Sequence, residues 1–132
     1  MAKYKFTKEY DFRASAKMLY PYFSTVQGLS EWFVDKVWVD NENVYHFEWQ
    51  GEPLKAMMKL HKINTFVKYE FFPKAEVNGK EALNYVDFHL NPDEMTGDTY
   101  VKVTDFSEMD DEIELNEMWD SFIATLKEKV GG

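Results

Sequence analysis

The chain has 132 residues and no cysteine, so it can bury one hydrophobic core, but it has no disulfide framework, thiolate nucleophile or cysteine-bound zinc. Its 24 acids against 15 bases leave a formal charge of −9, which repels phosphate and anionic headgroups and excludes nucleic acid as a partner. No apolar run approaches the roughly 18 residues of a spanning helix, and no apolar stretch follows Met1-Ala2-Lys3-Tyr4-Lys5; no membrane insertion and a cytoplasmic location are therefore expected.

In chain order, Tyr4, Phe6, Tyr10 and Phe12 alternate between Lys3 and Phe12, which predicts a strand whose inward face is broken at Lys8. Ser15 is placed to cap a short helix carrying Ala16, Met18, Leu19 and Tyr22. A kink or an early end is expected at Pro21. A second short helix is expected after Ser24 or Thr25, running through Leu29 to Trp32. These two helices form an elbow between the first strand and the rest of the sheet.

From Lys36 the apolar period becomes two. Val37 and Val39 form a short strand that ends at the turn Asp40-Asn41-Glu42-Asn43. Tyr45, Phe47 and Trp49 share the next inward face, and Gln50-Gly51-Glu52-Pro53 turns the chain again. Leu54, Ala56, Met58 and Leu60 then oppose Lys55, Met57, Lys59 and His61, and Val67, Tyr69 and Phe71 follow after Asn64. Val77-Asn78-Gly79-Lys80 carries the strongest hairpin signal in the chain. Val86, Phe88 and Leu90 form one more face, and Val101 and Val103 close an antiparallel meander after the Asn91 to Asp98 loop.

Leu115, Met118, Trp119, Phe122, Leu126 and Val130 recur at helical spacing through a stretch free of Gly and Pro, Asp111 to Lys129, which Gly131-Gly132 terminates. Acids crowd the start of this helix and Lys127 and Lys129 its end, as the helix dipole favours. The expected architecture is α+β: a curved antiparallel sheet of six to seven strands wrapped around a long C-terminal helix, with two short helices after the first strand. That helix is the one element large enough to cover the sheet's apolar face.

Two stretches give this order a family likeness. Gly28-Leu29-Ser30-Glu31-Trp32-Phe33-Val34-Asp35-Lys36-Val37 resembles the "GL..WF.d.v" segment of the START-like or SRPBCC superfamily, the helix-grip fold of the major birch-pollen allergen. Met118 to Lys127 is similar to the "W..fl..LK" signature on the C-terminal helix of its Aha-type, chaperone-ATPase-activating branch. With the Thr104-Asp105-Phe106 approach to that helix, the whole length looks closest to a small bacterial START-like group of unassigned function. The resemblance implies a single domain over residues 1–132 and a cavity between sheet and helix. Superfamily members bind lipids, sterols, polyketides or hormones, a minority catalyse cyclisation or dehydration, and the Aha-type branch engages a chaperone.

The residues themselves offer little chemistry. His46, His61 and His89 fall on the strand parity opposite the apolar faces and are expected to face solvent. No HExxH, GxGxxG, GxxxxGK[ST] or G-x-S-x-G occurs. The Asp40 to Glu52 stretch lacks the glycine of a calcium loop and Asn91 to Asp98 lacks its ligand spacing. No metal, cofactor or catalytic residue is expected, and the protein reads as a non-enzyme. Asp105 would keep inward parity if its strand extends so far, which would place a polar group at a cavity mouth; the alternative is a turn cap.

The candidate ligand-binding residues are aromatic or pliable: Trp32, Phe33, Trp49, Met58, Tyr69, Phe88, Met118, Trp119 and Phe122. The bland alternative is that they simply fill the core. An empty pocket of ~300 Å³ would cost about 7 kcal/mol at roughly 24 cal/mol per Å³, so rings, water or a ligand must occupy the space. Three readings follow. One is binding of a small apolar or lipid-like ligand, with the Tyr69 hydroxyl or a tryptophan N–H orienting its polar end. Another is an Aha-type protein-interaction module with an acidic docking surface; a cyclase-type enzyme comes last. The expected state is a monomer or weak dimer, since no heptad seam is present.

Overall fold

The computed structural model describes residues 3–73 and 83–132. Within them lie seven strands and three helices in the order β1 (Tyr4–Phe12), α1 (Ala16–Ser24), α2 (Val26–Ser30), β2 (Lys36–Val39), β3 (Val44–Trp49), β4 (Glu52–Lys62), β5 (Phe66–Phe71), β6 (Tyr85–Pro92), β7 (Thr99–Ser107) and α3 (Glu112–Val130). The strands form one curved antiparallel sheet, β1-β7-β6-β5-β4-β3-β2, closed in sequence by the pairing of β1 with β7. The expected Val77–Lys80 hairpin turn lies outside the described residues.

α3 is capped at both ends by residues suited to it. Asp111 accepts from the Glu114 N–H, and Gly131 at φ 86° closes the last turn on the Lys127 carbonyl. Its buried stripe is Leu115, Trp119, Ile123 and Leu126, set against the inward faces of the strands. Lys8, the residue that interrupts the inward pattern of β1, is what ties strand to helix: its ammonium reaches Asn116 Oδ1 at 2.7 Å and Asp120 Oδ1 at 2.8 Å, and the Tyr10 hydroxyl donates to Asp120. These bonds hold the Asp120 carboxyl below its ordinary value. A depressed pKa contributes stability above the unfolded-state value that is lost as pH falls through the folded-state one. Asp120→Asn is thus expected to cost about 0.5 kcal/mol near neutral pH, because the pair is half exposed. In urea melts the gap from wild type should close as the pH drops through the carboxylate range; a gap that widens there would contradict this.

The elbow is built by one residue serving two helices. Thr25 ends α1, donating its backbone N–H and its hydroxyl to the Pro21 carbonyl, and begins α2 by accepting from the Gly28 N–H. α1 therefore runs three residues beyond Pro21 before it ends, and α2 stops at Ser30, short of Trp32. At Gly28 an added Cβ would lie 2.1 Å from the Pro21 oxygen and 2.6 Å from the Tyr22 Cα. The two helices are packed backbone to backbone.

β4 carries the main correction to the expected faces. A register shift between Met58 and Leu60 inserts an extra residue, after which Leu60 pairs with Lys68 and His61 with Val67. Such a bulge reverses the alternation beyond it. Leu60 consequently leaves the inner face and is 55% exposed. His61 takes the same side of the sheet as Val67, at its exposed end. His89 is exposed as expected, while His46 is half-buried on the outer face, stacked at 3.9 Å under Trp38 with Nε2 2.9 Å from Asp40 Oδ2.

Candidate functional site

At the end of the sheet bearing α1 and α2, the concave face is filled. Phe23 sits 4.8 Å from Phe88 and beside Trp32, and the Tyr69 hydroxyl donates to the Phe23 carbonyl at 2.7 Å. The Trp32 indole N–H reaches the Tyr22 carbonyl at 2.8 Å. Tyr69 and Phe88 are wholly buried and Trp32 nearly so. Met58, paired with Tyr69, is only partly buried and packs against this core. These four candidates stand in the core and not in the lining of the cavity described next.

The other end holds a half-open cleft of about 530 Å³. Its walls are Phe33 and Val34 after α2, Trp49 at the end of β3, Leu54 on β4, Phe71 on β5, Val86 on β6, and Met118, Trp119 and Phe122 on α3. Phe33, Trp49, Met118, Trp119 and Phe122 are the five aromatic or methionine candidates that the fold brings together. Phe33 stacks on Trp119 at 5.7 Å and 17°, Phe122 meets both edge-on, and Trp49 lies 6.2 Å from Phe122. The volume suits a small ligand and the lining is mainly apolar.

β7 runs on to Ser107, so Asp105 keeps inward parity, opposite Phe6 of β1 and Val86 of β6. Its Oδ2 accepts from the Trp119 indole N–H at 2.8 Å at the wall of the cleft. Burial pushes the Asp105 carboxyl above its ordinary range, while the bonds from Trp119 and Ser107 oppose that shift by favouring the ionised form. The Tyr69 hydroxyl and the N–H groups of Trp32 and Trp119, expected as polar handles for a ligand, are thus engaged within the protein. The carboxylate of Asp105 takes their place in the lining, joined by Lys3, Glu52, Asn84 and Glu108 toward the mouth. Lys3 Nζ is 3.9 Å from Glu108 Oε1, and Asn84 Nδ2 donates to Glu108 Oε2.

The described residues contain no cluster of three or more His, Asp or Glu side chains arranged to hold a metal ion. None of the described helices is long and apolar enough to cross a membrane.

Known structures share this architecture. The Aha1 dimer of Colwellia psychrerythraea, solved in solution, superposes with a TM-score of 0.73 at 18% identity, over 94% of this chain and 93% of that one. A Bacteroides fragilis protein solved by NMR is 29% identical over 98% of this chain and 93% of its own, with a TM-score of 0.60. A crystal structure from Mesorhizobium loti gives a TM-score of 0.74 at 14% identity, each chain covered to 97%. No curated protein matches the sequence. The family model of the START-like superfamily domain matches residues 1–132. With that match and the seven-stranded sheet set against α3, the chain belongs to the START-like superfamily.

Proposed function

We propose that this protein binds a small hydrophobic or lipid-like molecule in the cleft between sheet and α3 and does not transform it. The observation that carries this reading is the cleft itself: about 530 Å³, walled by Phe33, Trp49, Leu54, Phe71, Met118 and Phe122, in a fold whose members commonly bind apolar ligands. Apolar surface left at such a wall is stabilised by an apolar guest at roughly 25 cal/mol per Å² removed from water. Native mass spectrometry of protein purified without lipid extraction should show an added mass. An environment-sensitive apolar dye should bind wild type and bind Leu54→Trp at least tenfold more weakly, since the added indole takes up cleft volume. Bare protein together with a dye that ignores both forms would defeat the reading.

A second reading is an interaction module of the Aha-type kind, favoured by the likeness to the Colwellia Aha1 dimer and by the acidic residues Asp110, Asp111, Glu112 and Glu114 at the start of α3. A partner held by those charges should be lost from a pull-down as salt rises from low to about 0.5 M, where the Debye length falls below ~5 Å. Retention at high salt counts against an acidic docking face. A cyclase-type reaction would rest on Asp105 alone as its acid–base group, and it ranks third.

A further inference from the structure

We propose that the cleft prefers an apolar molecule with a cationic end, a protonated or quaternary amine, over one ending in a carboxylate. This rests on the apolar-ligand reading above and specifies the ligand's polar end. Two observations converge on it.

Asp105 is partly buried at the cleft wall, and its Oδ2 is held by the Trp119 indole N–H at 2.8 Å. Burial raises the Asp105 carboxyl above its ordinary range, and this bond with the one from Ser107 pulls it back toward the charged form. An incoming cation stabilises the ionised carboxylate and gains an opposite charge, whereas an incoming carboxylate brings a like charge into a poorly solvated place. The same cleft is walled by the rings of Trp49, Trp119 and Phe122. Aromatic rings attract ammonium groups through their negative faces, and Trp does so best. A saturated tail would lie along the apolar walls while its ammonium end points toward Asp105.

The test uses three probes with the same ten-carbon chain, decyltrimethylammonium, decanol and decanoate, each titrated against the full-length protein by displacement of an apolar dye. The ammonium probe should bind at least about tenfold tighter than decanol, the size of an opposite-charge effect at this range, and decanoate should bind weakest. Asp105→Asn keeps the shape of the side chain and an acceptor for Trp119. It should reduce the ammonium advantage over decanol by about the same factor. If that variant does not fold, the ranking of the three probes on wild type still decides. Decanol binding as well as the ammonium probe, or decanoate binding best, overturns the cationic preference and leaves the apolar cleft standing. Failure of all three probes sinks both.

Discussion

Gly28→Ala is expected to cost about 3 kcal/mol or more of folding stability, although helix propensity alone predicts a gain of roughly 1 kcal/mol for that change. The two effects have opposite signs, so the experiment separates them. The new methyl would sit 2.1 Å from the Pro21 oxygen and 2.6 Å from the Tyr22 Cα. Both obstacles are backbone and cannot rotate away. The Pro21 oxygen already accepts from the Thr25 N–H and hydroxyl, so α2 would have to lift away from α1 and loosen the Thr25 cap that joins them. Lifting α2 also moves Trp32, whose indole N–H is held 2.8 Å from the Tyr22 carbonyl and whose ring abuts Phe23 and Phe88. The glycine is required here for space. Urea melts of wild type and variant give the difference directly, and an unchanged or raised midpoint would mean that α1 and α2 are not in backbone contact.

Trp119→Ala should be the most damaging change in the long helix. Removing a buried tryptophan costs roughly 3–5 kcal/mol through lost burial and the void left behind. Here the loss is compounded, because Asp105 is deprived of the N–H at 2.8 Å that faces its carboxylate and keeps only Ser107, and losing a partner at a partly buried charged group adds about 1–3 kcal/mol. The sum approaches the whole stability of a small domain, ~5–15 kcal/mol, so the variant is expected to be largely unfolded at 37 °C. Trp119→Phe retains a ring for Phe33 to stack on but removes the N–H, and should fall between the two.

The pH dependence identifies the polar part of that loss. Burial raises the Asp105 carboxyl in the folded state, so its contribution to stability is full below the unfolded-state pKa and is lost as pH rises through the folded one. Removing the N–H that favours the ionised form deepens this loss. The Trp119→Phe penalty should therefore grow between pH 4 and pH 7 and flatten in the background of Asp105→Asn. Among the described residues, Lys3, Glu52 and Glu108 are the other charged groups lining the cleft and stay the same in this comparison. A penalty independent of pH in both backgrounds would mean that the indole–carboxylate bond plays no part.

Much of this protein was legible from residue order because it depends on local periodicity. Period-two runs gave strands β1 to β7 wherever the described residues allow a comparison, Ser15 gave the cap of α1, Ser24 or Thr25 the start of α2, of which the structure uses Thr25, and the Gly-free, Pro-free run before Gly131 gave α3. Two kinds of feature escaped it. The bulge between Met58 and Leu60 inverts the faces beyond it, and its cause is the pairing with β5, which no property of β4 alone reports. Ile123 lies in the buried stripe of α3 while its apolar neighbour Phe122 is only partly buried, a choice that the packing against the sheet makes.

By itself, then, the sequence determined the element order, the α+β class and the amphipathic α3, since each follows from side-chain spacing along one segment. Which rings fill the core and which border a cleft was decided only in three dimensions. Tyr69 and Phe88 have the same inward parity as Trp49, but α1 and α2 close over their end of the sheet and leave Trp49 at the other. Asp105 likewise became part of the cleft only when β7 extended to Ser107 and α3 brought Trp119 within 2.8 Å. Parity assigns a side chain to a face; what covers that face is set by elements distant in the chain.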